Sequence, residues 1–221
     1  MPRNVVIICD GAFPKTEYPR YLIRCADFIV CCDGALRKFL RNSDAIFGEQ
    51  RLPDLVIGDM DSLSASMKSR YADIILKVDE QDNNDQTKAF SWVMENLEDV
   101  SDIHILGATG ECEDHTIGNI SLLMEYNRRF DLESRGINVE MVSDHSTIFA
   151  ANDSLEIDCG TGRKFSILSP DSSLKIKSEG LQWPLDEVVF DNWWKGTLNR
   201  TTQDTVKLKF SHQSMALIIL N

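Results

Sequence analysis

The chain has 221 residues, of which 43% are hydrophobic, which is enough for one large domain or two smaller domains with their own cores. Its 35 acidic and 23 basic residues give a net charge of -12, which argues against nucleic acid or an anionic membrane as a partner, because both need clustered Lys and Arg. An anionic substrate would have to arrive with metal cations. The N-terminal stretch lacks the apolar core of a signal peptide, and no apolar run approaches the length of a membrane span, so we expect a cytoplasmic protein.

Short apolar runs alternate with amphipathic stretches from residue 4 to about residue 143. This alternation predicts an α/β domain with a mainly parallel, Rossmann-like sheet flanked by helices. The predicted strands lie near residues 5–9, 28–32, 55–58, 74–78, 103–106 and 139–143. Several of them end in a Gly or Asp signal, and the carboxyl ends of strands form the ligand crevice of open α/β sheets. The sequence therefore places a site at this edge.

The six cysteines form no CxxC pair, which argues against structural zinc. Cys9, Cys31 and Cys32 lie in apolar strand-like runs, where free cysteine acts as a small buried hydrophobe. We expect all six to be reduced thiols.

The pattern changes after about residue 147 to short β-like runs without helical periodicity. These runs predict an all-β sandwich or barrel with strands near 155–158, 164–168, 173–177, 187–190, 205–210 and 215–220. We therefore predict domains at 1–146 and 147–221. Core positions are favoured for most of the tryptophans, including Trp193 and Trp194. Pro184 limits strand pairing beside Trp183, which predicts that this indole lies at a rim.

Two acidic clusters are candidates for chemistry. Asp59 and Asp61 follow a buried strand and alternate, so both carboxylates should leave the strand end in the same direction, although Gly-Asp and Asp-Ser also occur in simple turns. Asp85 begins an amphipathic helix, where it could be an ordinary N-cap with Lys88 on the same turn. Hard oxygen ligands at strand ends and helix starts suit Mg²⁺ held against a polyphosphate.

The segment GATGECEDHTIGN repeats this arrangement at residues 107–119. Its glycines predict a flexible turn, and Asp114 stands at the start of a helix whose apolar positions are Ile117, Ile120, Leu123 and Met124, although Asp114 could be only a cap. The chain has no G-x-x-x-x-G-K-[ST] sequence, so a phosphate cradle would have to use metal ions and other backbone amides.

Five motifs occur in one order along almost the whole chain: DGA at 33–35, GDMDS at 58–62, Gln81-Asp82-x-x-Asp85-x-Thr87-Lys88, GATG…DH at 107–115, and the late GLQW. Together they resemble the thiamine pyrophosphokinase family. The resemblance implies an N-terminal α/β domain and a C-terminal β-sandwich used for thiamine binding and dimerisation. It also implies a homodimer that transfers the β,γ-pyrophosphoryl group of ATP to the hydroxyl of thiamine and releases AMP.

The resemblance also implies roles for individual residues. The catalytic, Mg²⁺-binding residues would be Asp59, Asp61 and Asp85. Substrate-binding residues would be Gln81, Asp82, Lys88, Asp114, Trp183 and Asn199. Nucleotide-binding residues would be Gly11, Asp33, Gly34, Arg37, Gly107 and Thr109.

The chain departs from the family pattern at two places. Glu111-Cys112-Glu113 stands where Gly-Gly-Arg is usual, so Lys88, Arg37 or Lys38 would have to compensate for the missing cation. Leu198-Asn199 replaces a Ser-Asn pair. Two alternatives remain at this stage: a magnesium-dependent transferase that uses its D-x-D pair on a nucleotide sugar, and a non-catalytic thiamine or nucleotide sensor.

Overall fold

The computed structural model describes residues 3–221. The helices and strands, in chain order, are β1 (Arg3–Ile8), α1 (Glu17–Cys25), β2 (Phe28–Cys32), α2 (Ala35–Phe47), β3 (Leu55–Gly58), α3 (Ala65–Arg70), β4 (Ile75–Lys77), α4 (Asp85–Asn96), β5 (Val100–Leu106), α5 (Glu113–Phe130), β6 (Asn138–Val142), β7 (Thr147–Ala151), β8 (Leu155–Asp158), β9 (Lys164–Leu168), β10 (Ile176–Glu179), β11 (Asn199–Arg200), β12 (Thr205–Phe210) and β13 (Ala216–Leu220). Across residues 3–221, no helix is both long and apolar enough to cross a membrane.

The described chain divides into two compact units. The first contains the residues up to Leu122 and the segment Leu132–Asp144, and the second contains Leu123–Asp131 and His145–Asn221. The functional roles assigned above to residues 1–146 and 147–221 remain predictions.

The first unit is built on six parallel strands in the order β6-β5-β1-β2-β3-β4. Val5 to Ile8 of β1 are completely buried, as expected for a central strand covered on both faces. The strands that the apolar runs predict near 5–9, 28–32, 55–58, 74–78, 103–106 and 139–143 are all present. The predicted α/β fold with a mainly parallel sheet is therefore confirmed.

Helices cover this sheet with their apolar positions. α2 buries Leu36 and Phe39, and α4 buries Phe90 and Val93 as its periodicity predicts. The prediction was wrong for Ile117, which is 57% exposed, because the first turns of α5 lie beside the strand-end loops rather than over the core. Only the later positions of the predicted stripe, Leu123 and Met124, are buried.

The second unit is an antiparallel β-sandwich, as predicted. One layer has the order β11-β9-β13-β7, and the other has the order β10-β12-β8. Both layers contribute to one apolar core, which includes Phe165 and Ile218 from the first layer and Ile176 and Val206 from the second.

Several details of the second unit differ from the sequence-based expectation. Strands β7 and β11 were not predicted. Residues 187–190 form no strand, and strand β10 begins at Ile176 instead of near residue 173. The core positions favoured for Trp193 and Trp194 were wrong, because these side chains are 44% and 68% exposed. They lie at the start of a short 3₁₀ turn that projects both indoles outward.

Candidate active site

A cavity of about 560 Å³ lies at the carboxyl ends of the parallel strands in the first unit. The residues after β1, β2, β3 and β5 and the start of α4 line it, as the Gly and Asp signals at the strand ends predict. The predicted site residues that line the cavity are Gly11, Asp33, Gly34, Asp59, Asp61, Gln81, Asp82, Asp85, Lys88, Gly107 and Thr109.

Three carboxylates form a compact group in this cavity. Single oxygens of Asp33, Asp59 and Asp61 all lie within 4.8 Å of one another. Asp33 is only 3% exposed, and burial raises the pKa of its carboxyl. Its Oδ2 accepts a hydrogen bond from Ser62 N at 3.1 Å, whereas its buried Oδ1 has no hydrogen-bond partner within residues 3–221. We assigned Asp33 to the nucleotide from the DGA motif, and the structure places it within the carboxylate group.

The turn after β3 presents Asp59 and Asp61 on the same side. Met60, between them, is buried and has a positive φ of 65°, so the flanking carboxylates both face the cavity. Asp59 Oδ1 accepts a hydrogen bond from Asp61 N at 3.1 Å, and this bond is the main cause of the lowered pKa of Asp59. Asp59 is therefore kept ionised.

Asp85 is not the N-cap of α4. Asn84 caps the helix, because its side chain accepts a hydrogen bond from Thr87 N at 2.9 Å, and this leaves the Asp85 carboxylate free to face the cavity. Lys88 Nζ lies 3.3 Å from Asp85 Oδ1, and its side chain is only 5% exposed. Burial raises the pKa of Asp85, and Lys88 opposes this shift.

Gly58 permits the close approach of these carboxylates. A Cβ atom at this position would lie 2.9 Å from Asp33 Cβ, which is too short for a carbon–carbon contact, and 3.0 Å from Asp85 Oδ2, which is tight. The glycine at the end of β3 is therefore a steric requirement of the acidic site.

Lys38 connects two of the strand-end loops. Its ammonium group lies 2.7 Å from Asp10 O, 2.8 Å from Gly11 O and 2.7 Å from Glu111 Oε1, and it also lies 3.0 Å from Asp10 Oδ1. Arg37 does not line the cavity and lies 3.6 Å from Asp10 Oδ2. All three cations that we expected to replace the missing arginine, Lys88 among them, are paired with acidic groups.

The loops after β1 and β5 pack backbone against backbone. Gly11 N donates to Gly107 O at 2.7 Å, and Ala12 N donates to Thr109 O at 2.8 Å. A Cβ atom at Gly11 would lie 2.7 Å from Thr109 O, so only glycine fits. Gly107 itself has a positive φ of 64°.

A network of amide side chains supports the cavity wall and was missed by the sequence reasoning. Asn84 Nδ2 donates to Asn119 Oδ1 at 2.9 Å, Asn119 Nδ2 donates to Ala108 O at 2.8 Å, and Gln86 Nε2 donates to Asn119 O at 3.2 Å. The network joins the start of α4 to α5 and to the loop after β5. The available signal was Asn119 at the end of the GATG…GN segment, which we treated only as part of a helix.

Asp114 does not line the cavity. Its Oδ1 accepts a hydrogen bond from His115 N at 2.8 Å in the first turn of α5. His115 and Thr116, from the same turn, line the cavity instead.

Trp183 and Asn199 lie together in the second unit. Asn199 is buried, and its Nδ2 donates to Trp183 O at 2.6 Å while its Oδ1 accepts from Trp183 N at 3.1 Å. The Trp183 indole is 55% exposed beside a cleft of about 330 Å³, as the rim prediction requires. Leu198, 68% exposed and with a positive φ of 60°, also lines this cleft.

The fold and the site define a two-part protein with a parallel α/β unit, a carboxylate-lined cavity at its strand ends and a following β-sandwich. Residues 19–133 match the family model "Thiamin pyrophosphokinase, catalytic domain", and residues 147–217 match "Thiamin pyrophosphokinase, substrate-binding domain". The chain therefore belongs to the thiamin pyrophosphokinase family.

Two known thiamine pyrophosphokinases are similar to this chain in sequence. Thiamine pyrophosphokinase 1 of Oryza sativa subsp. japonica is 28% identical over 171 residues, which cover 71% of this chain and 62% of the rice protein. Thiamine pyrophosphokinase 1 of Arabidopsis thaliana is 28% identical over 202 residues, covering 83% of this chain and 73% of that protein.

Solved structures share the fold. The thiamin pyrophosphokinase structure from Geobacillus thermodenitrificans is 19% identical with a TM-score of 0.75, covering 98% of this chain and 96% of that one. The yeast thiamin pyrophosphokinase structure is 17% identical with a TM-score of 0.76, covering 99% of this chain and 87% of that one. These comparisons do not favour a nucleotide-sugar transferase or a sensor.

Proposed function

We propose that this protein is a magnesium-dependent thiamin pyrophosphokinase that transfers the β,γ-pyrophosphoryl group of ATP to the hydroxyl of thiamine and releases AMP. The observation that carries the proposal is the group formed by Asp33, Asp59 and Asp61, which lines a cavity at the strand ends of a chain matched by both family models. Transfer of this kind depends mainly on positioning and charge neutralisation, so it needs no strong protein nucleophile.

The residues present fit Mg²⁺. All the donors are carboxylate oxygens, which this hard cation prefers. A buried carboxylate oxygen without a hydrogen bond is costly, and Asp33 Oδ1 has none within the described residues, which suits a cation as its partner. Asp33, Asp59 and Asp61, with Asp85 beside them, would hold the ion. When bound, Mg²⁺ would neutralise phosphate charge in a cavity that is otherwise acidic.

The surrounding groups have distinct tasks in this proposal. Asp59, kept ionised by the Asp61 N–H, can accept the proton of the attacking hydroxyl in a hydrogen bond and orient its oxygen. The buried Lys88 balances the charge of Asp85 and fixes this carboxylate in the cavity. The loops that contain Gly11, Gly34 and Thr109 would bring their backbone close to the nucleotide, because Gly11 and Gly34 have no side chain.

Thiamine recognition is assigned to the sandwich unit. A thiazolium cation suits an aromatic face, and Trp183 presents an exposed indole whose backbone is fixed by Asn199. Gln81 and Asp82, which line the acidic cavity, would contact the substrates there. We propose a cytoplasmic homodimer in which each site combines the carboxylates of one protomer with the sandwich unit of its partner.

The first experiment incubates the protein with ATP, Mg²⁺ and thiamine and separates the nucleotide products, with parallel reactions that lack thiamine or metal. We expect AMP and thiamine diphosphate only in the complete mixture. A nucleoside diphosphate would indicate a different transferase, and thiamine binding without product would indicate a sensor.

The metal assignment is tested with Asp59→Asn and a matched control, Asp73→Asn, an exposed carboxylate outside the cavity. Asp59→Asn keeps the shape of the side chain but removes a ligand charge, so we expect turnover to fall by at least about 100-fold while the control retains activity. A folded Asp59→Asn protein with wild-type turnover would disprove the assignment.

A further inference from the structure

Two cysteines end neighbouring strands at the floor of the cavity. Strand β1 pairs in parallel with β2, and Ile8 lies opposite Cys31 in this register, so the next position on each strand brings Cys9 beside Cys32. Neighbouring strands are about 4.8 Å apart. This spacing lies within the Cα–Cα range of about 4.4–6.8 Å that a disulfide bond requires.

Both thiols point to the same side of the sheet. Cys9 Sγ lies 3.7 Å from Gln86 Oε1, and Cys32 Sγ lies 3.5 Å from Asp85 O. Because these contacts are with consecutive residues of α4, the two sulfur atoms lie side by side beneath the first turn of this helix. A hydrogen bond with the Cys9 thiol, together with burial, raises the pKa of Cys32 well above its usual value.

The third cysteine of this region does not compete for the pair. Cys31 alternates with Cys32 along β2 and packs in the core on the opposite face of the sheet, with Val6 and Ile8. By contrast, Cys9 and Cys32 both line the cavity, so a small solute that enters the cavity can reach them.

We propose that Cys9 and Cys32 form a redox-active dithiol that a peroxide converts to an intramolecular disulfide. One sulfur attacks the peroxide, the O–O bond breaks, and a sulfenic acid and one water form. The second thiol then displaces the hydroxyl of the sulfenic acid as a second water, and the S–S bond forms. Two electrons pass from the sulfurs to the peroxide oxygens, and both thiol protons end in water.

The bond would join two strands directly before residues of the proposed site. Cys9 precedes Asp10 and Gly11, and Cys32 precedes Asp33, whose buried carboxylate belongs to the acidic group. The sulfur atoms must approach to about 2.05 Å, so both side chains would leave their contacts with α4 and the adjoining Asp33 would shift. A displacement of about 1 Å in a catalytic site costs about 100-fold in rate. This consequence for turnover rests on the proposed function, whereas formation of the bond does not.

The test uses the full chain with Cys25→Ser and Cys112→Ser, because these are the two exposed thiols. The protein is treated with hydrogen peroxide in a time course, since buried protonated thiols react slowly, and is then alkylated and digested with trypsin without reduction. We expect a linked pair of peptides, 4–15 and 25–37, lighter by two hydrogen atoms than the sum of the two peptides with Cys31 alkylated. The link should disappear after treatment with dithiothreitol.

Two further variants identify the sulfur atoms involved. Peptide 25–37 contains both Cys31 and Cys32, so Cys31→Ser should retain the link and Cys32→Ser should abolish it. Folding of each variant is checked by circular dichroism. Absence of the link in the folded background protein, or its persistence in Cys32→Ser, would overturn the proposal.

Activity is measured on the same oxidised and reduced samples. We expect oxidation to lower pyrophosphokinase turnover by about 10- to 100-fold, with recovery after reduction. A linked protein with full activity would refute the predicted effect on the site. If the reduced protein has no pyrophosphokinase activity, the proposed function fails, and the peptide masses still decide whether the disulfide forms.

Discussion

Replacing Asn199 with Ala removes three hydrogen bonds inside the sandwich unit. Asn199 Oδ1 accepts from Trp183 N at 3.1 Å and from Arg200 N at 2.8 Å, and Nδ2 donates to Trp183 O at 2.6 Å. The Ala variant leaves three backbone groups without these partners, namely the N–H and carbonyl of Trp183 and the N–H of Arg200.

The expected loss of stability follows from the number of groups left unpaired. Because Trp183 and Arg200 are exposed, each lost hydrogen bond costs a net of about 0.5–1.5 kcal/mol, so Asn199→Ala should lower the free energy of unfolding by about 1.5–4.5 kcal/mol. Asn199→Asp keeps both acceptor contacts, but it places a carboxylate oxygen against Trp183 O and buries a charge, so it should destabilise the fold at least as much as Asn199→Ala.

Urea unfolding followed by tryptophan fluorescence measures these differences. Gln213→Ala, at an exposed position, is the matched control and should change stability by no more than about 0.5 kcal/mol. Thiamine affinity should fall more than ATP affinity in Asn199→Asp, because the variant disturbs the position of the Trp183 indole. If both Asn199 variants unfold at the wild-type urea concentration, the hydrogen bonds do not stabilise the rim as argued.

Three other predictions follow from the site and the sandwich. Gly58→Ala should reduce turnover by at least about 10-fold with the fold retained in circular dichroism, because the added Cβ displaces the Asp33 carboxylate; unchanged kinetics would show that the strand end has room. Mixing inactive Asp59→Asn and Trp183→Ala proteins should restore about a quarter of wild-type activity. Half of the dimers then contain one protomer of each variant, and in each of these one of the two sites has both an intact Asp59 and an intact Trp183. No recovery would refute a site shared between protomers. Hydrogen bonds, led by the one from Ser173, hold the pKa of Asp171 in the folded protein below its usual value. The ionised carboxylate therefore stabilises the fold at any pH above the pKa of about 4 that Asp has in the unfolded chain, and this stabilisation is lost as the pH falls below that value. Asp171→Asn should therefore be less stable than wild type near neutral pH, with the difference shrinking in urea titrations below about pH 4; a constant difference would contradict the linkage.

The parallel sheet and the location of the site could be predicted because their signals are local. Each strand is a short apolar run, and Gly or Asp marks the end at which parallel strands meet. The acidic pair Asp59 and Asp61 was found in this way, and the structure places both in one cavity.

Features that depend on packing between distant segments could not be predicted. The interaction of Asn84 with Asn119 joins residues 35 apart, and nothing in either local sequence indicates the other. The cap of α4 shows a similar limit, since Asn84 and Asp85 are both good N-cap residues and only the three-dimensional structure shows which one is used.

Exposure of aromatic residues was the least predictable property. Trp193 and Trp194 are large apolar residues that usually lie in a core, yet the 3₁₀ turn that contains them leaves both indoles outside. Hydrophobicity alone does not determine burial when the backbone is short and irregular.

The ammonium group of Lys38 also affects how the cavity at the strand ends forms during folding. It joins Asp10 and Glu111, which lie 28 and 73 residues away in the sequence. Contacts of such long separation form only after the intervening segments have condensed, so partly folded chains lack this cavity. Any ligand of this cavity would then bind only the native state and, by mass action, would protect the α/β unit against unfolding.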